Sequence, residues 1–191
     1  MSRIAVLSIP LVLLAGNPGY ANLLVNGDFE QPMEVGWAVD TVNEAGDYRF
    51  EWSDTLGQPA GGSAARVYKY LARHATLWQA VDVPSPDLEL AFDARLSLGG
   101  GSNTCWPVGA VVACYQDSTG AELGKTMVLL RTEFCTWVDG DTLHLIDVLE
   151  PGVWSQYRLD LGRELADYLT GIDPADVARV RVELFAYDNG T

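Results

Sequence analysis

From Leu88 to Leu96 the chain reads Leu-Glu-Leu-Ala-Phe-Asp-Ala-Arg-Leu, with apolar side chains on every second position. In an extended chain successive side chains point to opposite faces, so this run has one side suited to a core and one suited to water. A helix would scatter the same residues around its circumference. The run therefore reads as a strand that must bury one face against another layer. Comparable runs recur along the chain, separated by Gly, Pro, Asp and Ser clusters. They predict strands near 47–53, 64–71, 76–83, 87–97, 108–116, 125–134, 143–148, 153–160 and 179–187. Short strands at such spacing imply an all-β sandwich.

The connections carry their own signals. Asp117-Ser118-Thr119-Gly120 supplies turn residues between two apolar runs, which predicts a hairpin. One helix is expected between Gly162 and Gly171, where Leu165, Tyr168 and Leu169 share a face and Gly171 suits a C-terminal cap. Asp173-Pro174 reads as the cap and first position of a further short helical turn. Nothing between these elements resembles a linker, so a single domain is expected.

The first 21 residues have the features of an export leader: Arg3, the apolar run Ile4 to Ala15, then Gly19-Tyr20-Ala21 as a small-x-small cleavage site. As a membrane anchor the run is short of the roughly 20 residues a span requires. The expectation is residues 1–21 as signal peptide, a mature domain at 22–191, and a secreted or cell-surface location without membrane insertion. Without Arg3 the chain holds 11 basic against 26 acidic residues, a net charge of −15. Nucleic acid is thereby excluded as a partner, since phosphate binding needs clustered Lys and Arg.

Export also permits a disulfide, and three cysteines allow one bridge with three possible pairings. A hairpin turning about Gly120 sets Cys105 opposite Cys135 and leaves Cys114 in register with Ala110 and Val112, expected to point inward. Cys105 to Cys135 is the pairing this favours.

The opening Asn22-Leu23-Leu24-Val25-Asn26-Gly27-Asp28-Phe29-Glu30, with Gly36-Trp37 after it, resembles the start of carbohydrate-binding modules attached to bacterial cellulases and xylanases. Those modules are galactose-binding-domain-like jelly rolls. Gly62 to Val67, Leu77 to Val83, Leu88 to Leu96, Trp154 to Leu161 and Val180 to Leu184 continue the likeness in order. The resemblance implies a jelly-roll β-sandwich of two antiparallel sheets with one short crossover helix. It gives Trp37 and Trp154 framework roles, and it implies a structural calcium at Glu30 with Asp28 as a neighbouring donor. The alternative for those two acids is ordinary turn capping. The family's chains usually close with a further strand after a loop like Tyr187-Asp188-Asn189-Gly190, whereas this sequence stops at Thr191. Truncation of a longer chain is the reading this favours; the alternative is a jelly roll without its last strand, which would leave an unpaired sheet edge.

Sugars present apolar C–H faces ringed by hydroxyls, so their sites combine aromatic planes with polar partners. Six tryptophans offer candidates. Trp52 aligns with Tyr48 and Phe50 on one strand; Arg66, Tyr68 and Tyr70 share a face of the next; Trp106 and Trp137 follow two of the cysteines. Gln79 falls on the inward face of its strand, where an internal hydrogen bond is expected. No catalytic set stands out. His74 reads as a solvent-facing loop residue and His144 as an outward strand position, and neither stands at a spacing typical of zinc sites. The expected function is non-catalytic polysaccharide binding. The alternative is a structural or adhesion domain, and rings lining one groove or packed inward would separate the two.

Overall fold

The computed structural model describes the backbone of residues 3–15 and, with side chains, residues 22–42, 47–55, 57, 62–70, 73–85, 87–102 and 105–189. Eleven strands run in chain order: β1 (Arg3–Ala15), β2 (Ala38–Val42), β3 (Asp47–Ser53), β4 (Ala64–Tyr70), β5 (His74–Asp82), β6 (Leu88–Gly99), β7 (Pro107–Gln116), β8 (Glu122–Arg131), β9 (Leu143–Asp147), β10 (Ser155–Asp160) and β11 (Arg179–Asp188). A helix, α1 (Leu161–Asp167), and a 3-10 turn (Pro174–Asp176) lie between the last two. The strands form a five-stranded sheet in the order β10-β6-β1-β4-β3 and a six-stranded sheet in the order β2-β5-β11-β7-β8-β9. The fold is an all-β sandwich of the jelly-roll kind.

The alternating run behaves as its pattern requires. Leu88, Leu90, Phe92, Ala94 and Leu96 on β6 are buried, while their neighbours are partly exposed. They face Leu77, Val111, Ala113, Tyr115, Val182 and Leu184 of the six-stranded sheet, forming the main core. All nine strands expected from the sequence are present, with ends displaced by a few residues. The Asp117 hairpin forms as well: its carboxylate accepts hydrogen bonds from the backbone N–H of Thr119 and Ala121, and Gly120 takes a φ of 87°.

Four features differ from expectation. The sheets are not antiparallel throughout, because β9 pairs in parallel with β8 after residues 132–142 cross back over the sheet. Helix α1 starts at Leu161 rather than beyond Gly162, since Asp160 caps it by accepting from the Arg163 N–H at 2.9 Å. Gly171 lies beyond the helix cap at Tyr168. Its N–H donates to the Asp141 carbonyl at 2.8 Å, and a Cβ there would stand 3.0 Å from that oxygen. Finally, Arg3–Ala15, within the segment expected to be a leader, forms a strand in the middle of the five-stranded sheet, between β6 and β4.

Candidate functional site

The opening loop is built around two amides. Asn26, with φ of 51°, donates to the carbonyls of Gln31 and Pro32 and accepts from the Gln31 N–H at 3.0 Å. Its own carbonyl accepts from the buried Trp37 indole at 3.1 Å. Gln79, buried on β5 as its inward position predicts, accepts from the Val25 N–H at 2.7 Å and donates to the carbonyls of Val25 and Gly36. Trp37 is thus structural. Asp28 and Glu30 are both exposed, and the Asp28 carboxylate accepts from the Glu30 N–H at 3.3 Å. Among the described residues no three His, Cys, Asp or Glu side chains cluster so as to hold a metal ion.

The six residues expected to contact ligand fall into three places. Trp52 is 40% exposed at the end of β3, and its indole donates to the Phe29 carbonyl at the rim of the opening loop. Arg66 and Tyr68 lie on the outer face of the five-stranded sheet, where they line a shallow cavity of about 220 Å³ with Arg49 and Glu51. Tyr70, opposite Asp47, is half-buried at the end of the same strand face. The Arg66 guanidinium is bound by the Glu51 carboxylate, while its Nε–H is buried without a partner. That cavity is mainly charged and holds one aromatic ring.

Trp106 and Trp137 stand on the opposite side of the molecule, over the outer face of the six-stranded sheet. Trp106 is 6% exposed and Trp137 half-buried, their rings meeting edge-on at 5.7 Å. Trp137 is drawn down by its carbonyl, which accepts from Arg131 Nη1 at 2.6 Å, while Arg131 Nε and Nη2 donate to the two carboxylate oxygens of Asp147. The ring rests against Tyr187 at 5.4 Å and Phe185 at 6.4 Å, two residues that share the outer face of β11 and stack with 11° between their planes. The face continues across β5, where His74 tilts against Phe185 at 6.2 Å and Trp78 lies beneath the Arg181 guanidinium at 5.0 Å. Arg181 is also paired with Glu183, and His74 lies 3.5 Å from Asp40 on β2. The result is a strip of half-buried rings edged by both charges. Phe185, Tyr187 and Trp78 were not among the expected ligand residues. Their positions at i, i+2 on β11 and on the outward side of β5 were the available signal.

Beneath the rings lies a second apolar cluster: Val108, Ala110, Val112 and Cys114 of β7 with Met127, Leu129 and Leu145. Ala110, Val112 and Cys114 therefore point away from the main core, a correction to their expected inward direction. Burial raises the pKa of the Cys114 thiol, and the Glu122 carboxylate 3.5 Å away pushes in the same direction. The expected Cys105–Cys135 bridge is absent, all three cysteines being free thiols. The β7–β8 ladder ends at Val108 opposite Arg131, and both chains turn away before reaching the two cysteines.

Neither histidine is a free surface residue. His74 belongs to β5, and His144 on β9 places Nδ1 2.6 Å from Glu164 while its ring stacks on Tyr168 at 4.0 Å. Glu164 is buried and also accepts from the Thr126 hydroxyl at 2.9 Å, which ties α1 to β8 and β9. The sequence signal for this pair was hidden, because 20 residues separate its members.

No protein-family model matches this chain, and no curated protein matches its sequence.

Proposed function

We propose that the chain is a secreted, non-catalytic module that binds polysaccharide along the outer face of its six-stranded sheet. The observation that carries this is the run of Trp137, Tyr187, Phe185 and Trp78 on one face, each half-buried, with Arg181, Glu183, His74 and Asp40 beside them. Flat rings offer stacking surface for the apolar side of a sugar, and the flanking groups match its hydroxyls as donors and acceptors. The rings are held by a strand pair and by one another, so little ordering entropy opposes binding. The charged cavity at Arg66 and Tyr68 supports the reading less well, because Glu51 already engages its main donor.

Affinity electrophoresis against soluble glucans, xylans and mannans tests this, with calcium and with chelator in parallel. At least one polymer is expected to retard the protein, and Trp78→Ala to weaken that interaction about ten-fold. Unchanged mobility on every polymer in both conditions would refute the proposal and favour an adhesion domain. Retardation lost with chelator would support calcium at Asp28 and Glu30.

A further inference from the structure

Among the residues described with side chains, every Lys, Arg and His but two forms an ion pair with a carboxylate of the chain. The pairs range from Lys69 of β4, fully buried against Asp188 of β11 and so tying the two sheets together, to Arg49 beside Asp47 at the surface. The two exceptions are Arg73, exposed on the bend before β5, and Arg95 on β6. Arg95 lies between the buried Ala94 and Leu96 and therefore stands on the outer face of the five-stranded sheet. Arg49, Arg66 and Arg158 share that face, and their guanidinium groups are held by Asp47, Glu51 and Glu89. The chain has 26 acidic against 12 basic residues, yet this half-buried guanidinium is left with its charge uncancelled.

The guanidinium carbon of Arg95 lies 5.4 Å from the centre of the Trp154 ring. Trp154 stands just before β10, is half-buried and belongs to neither apolar cluster, so the residue it backs is Arg95 rather than the core. Stacking fixes the guanidinium plane and leaves its N–H edge to donate elsewhere. Asp93, two residues back on the same face, forms no ion pair among the described residues, and burial raises its pKa. Opposite Asp93 on β10 is the exposed Gln156. On the other side of Arg95, a Cβ on Gly152 would stand 3.6 Å from the Ser97 hydroxyl, and the glycine leaves that side uncovered.

We propose that Arg95, Trp154, Asp93, Gln156 and Ser97 form a binding site for an acidic saccharide, whose carboxylate docks on the Arg95 guanidinium. The planar fork matches a carboxylate through two parallel N–H···O bonds. Gln156 and Ser97 supply donors and acceptors for the hydroxyls of the ring. Asp93 and the acid surplus of the chain oppose a doubly charged phosphate more strongly than a singly charged carboxylate. The site lies on the other sheet from the strip of rings and does not depend on it.

The test titrates the full chain with trigalacturonate, followed by NMR of the indole and side-chain amide groups, with its uncharged methyl ester and inorganic phosphate in parallel. Trigalacturonate is expected to shift the Trp154 and Gln156 signals, and the ester to bind at least about ten-fold more weakly. Arg95→Lys keeps the charge but loses the fork, and should weaken binding by about ten-fold. Asp93→Asn removes a neighbouring negative charge and should tighten it about three-fold. Equal binding of acid and ester, or signals at Trp154 that do not move, overturns the proposal. Shifts confined to Trp78 and Trp137 would place the saccharide on the strip of rings and overturn it equally. Phosphate binding as tightly as trigalacturonate would reduce the site to a general anion site and refute the saccharide assignment.

Discussion

The two sheets share one core and are finished differently. The six-stranded sheet is continuous from β2 to β9 and carries a second apolar cluster on its outer side, so every residue of β7 is buried. The five-stranded sheet turns Arg49, Glu51, Arg66 and Tyr68 outward and holds its two halves together through the N-terminal strand. The difference is written in composition. Where one face is wet, as on β6, polar and apolar residues alternate; where both faces are dry, as on β7, the strand holds an unbroken run of Ala and Val ending in Cys from Ala110 to Cys114.

The largest effect should appear at the tie between the sheets. Asp188→Leu would leave Lys69 buried without its carboxylate, at about 3–5 kcal/mol in urea denaturation, and adding Lys69→Met should recover most of it. Burial already lowers the Lys69 pKa below its ordinary 10.5. In the single variant the native lysine sheds its proton before the unfolded one, so the deficit should shrink as pH rises toward 10.5. A deficit independent of pH would mean that the buried charge is not the cause.

Next comes the second cluster. Leu129 is fully buried, and Leu129→Ala should cost about 2–5 kcal/mol if the outer face is a true core. A loss below about 1 kcal/mol would reduce that face to a lightly covered surface. Glu164→Gln keeps the volume but removes the charge facing His144, and should cost about 1–3 kcal/mol in thermal unfolding. The smallest change belongs to the opposite face: Arg66→Ala, partnered by a one-third exposed Glu51, should stay under about 1 kcal/mol. A larger loss there would make the two outer faces alike.

Much of the fold was legible because burial leaves a periodic trace. β6 announced itself through alternation, the β7–β8 hairpin through Asp117 to Gly120, and the 3-10 turn through Asp173-Pro174. β2 escaped because all but one of its residues are exposed, which leaves no apolar face to detect. The site was harder to read. Period-two reasoning placed Arg66, Tyr68 and Tyr70 together but could not say which strands stand beside each other. Trp106 and Trp137 therefore came to rest against Tyr187, and Trp137 against Phe185 as well, residues at least 48 positions away in sequence. The cysteine pairing failed for a related reason: extrapolating a ladder assumes that it continues, and this one stops at Val108 and Arg131.

The clasp of Gln79 on Val25 and Gly36 has a consequence for processing. It moors the opening loop to β5, and the Asn22 side chain accepts from the Leu24 N–H at 3.1 Å. A peptidase cutting after Ala21 would sever a tether upstream of both anchorages. The new amino terminus would then begin on ground that is already fastened, and maturation could proceed without loosening the loop it exposes.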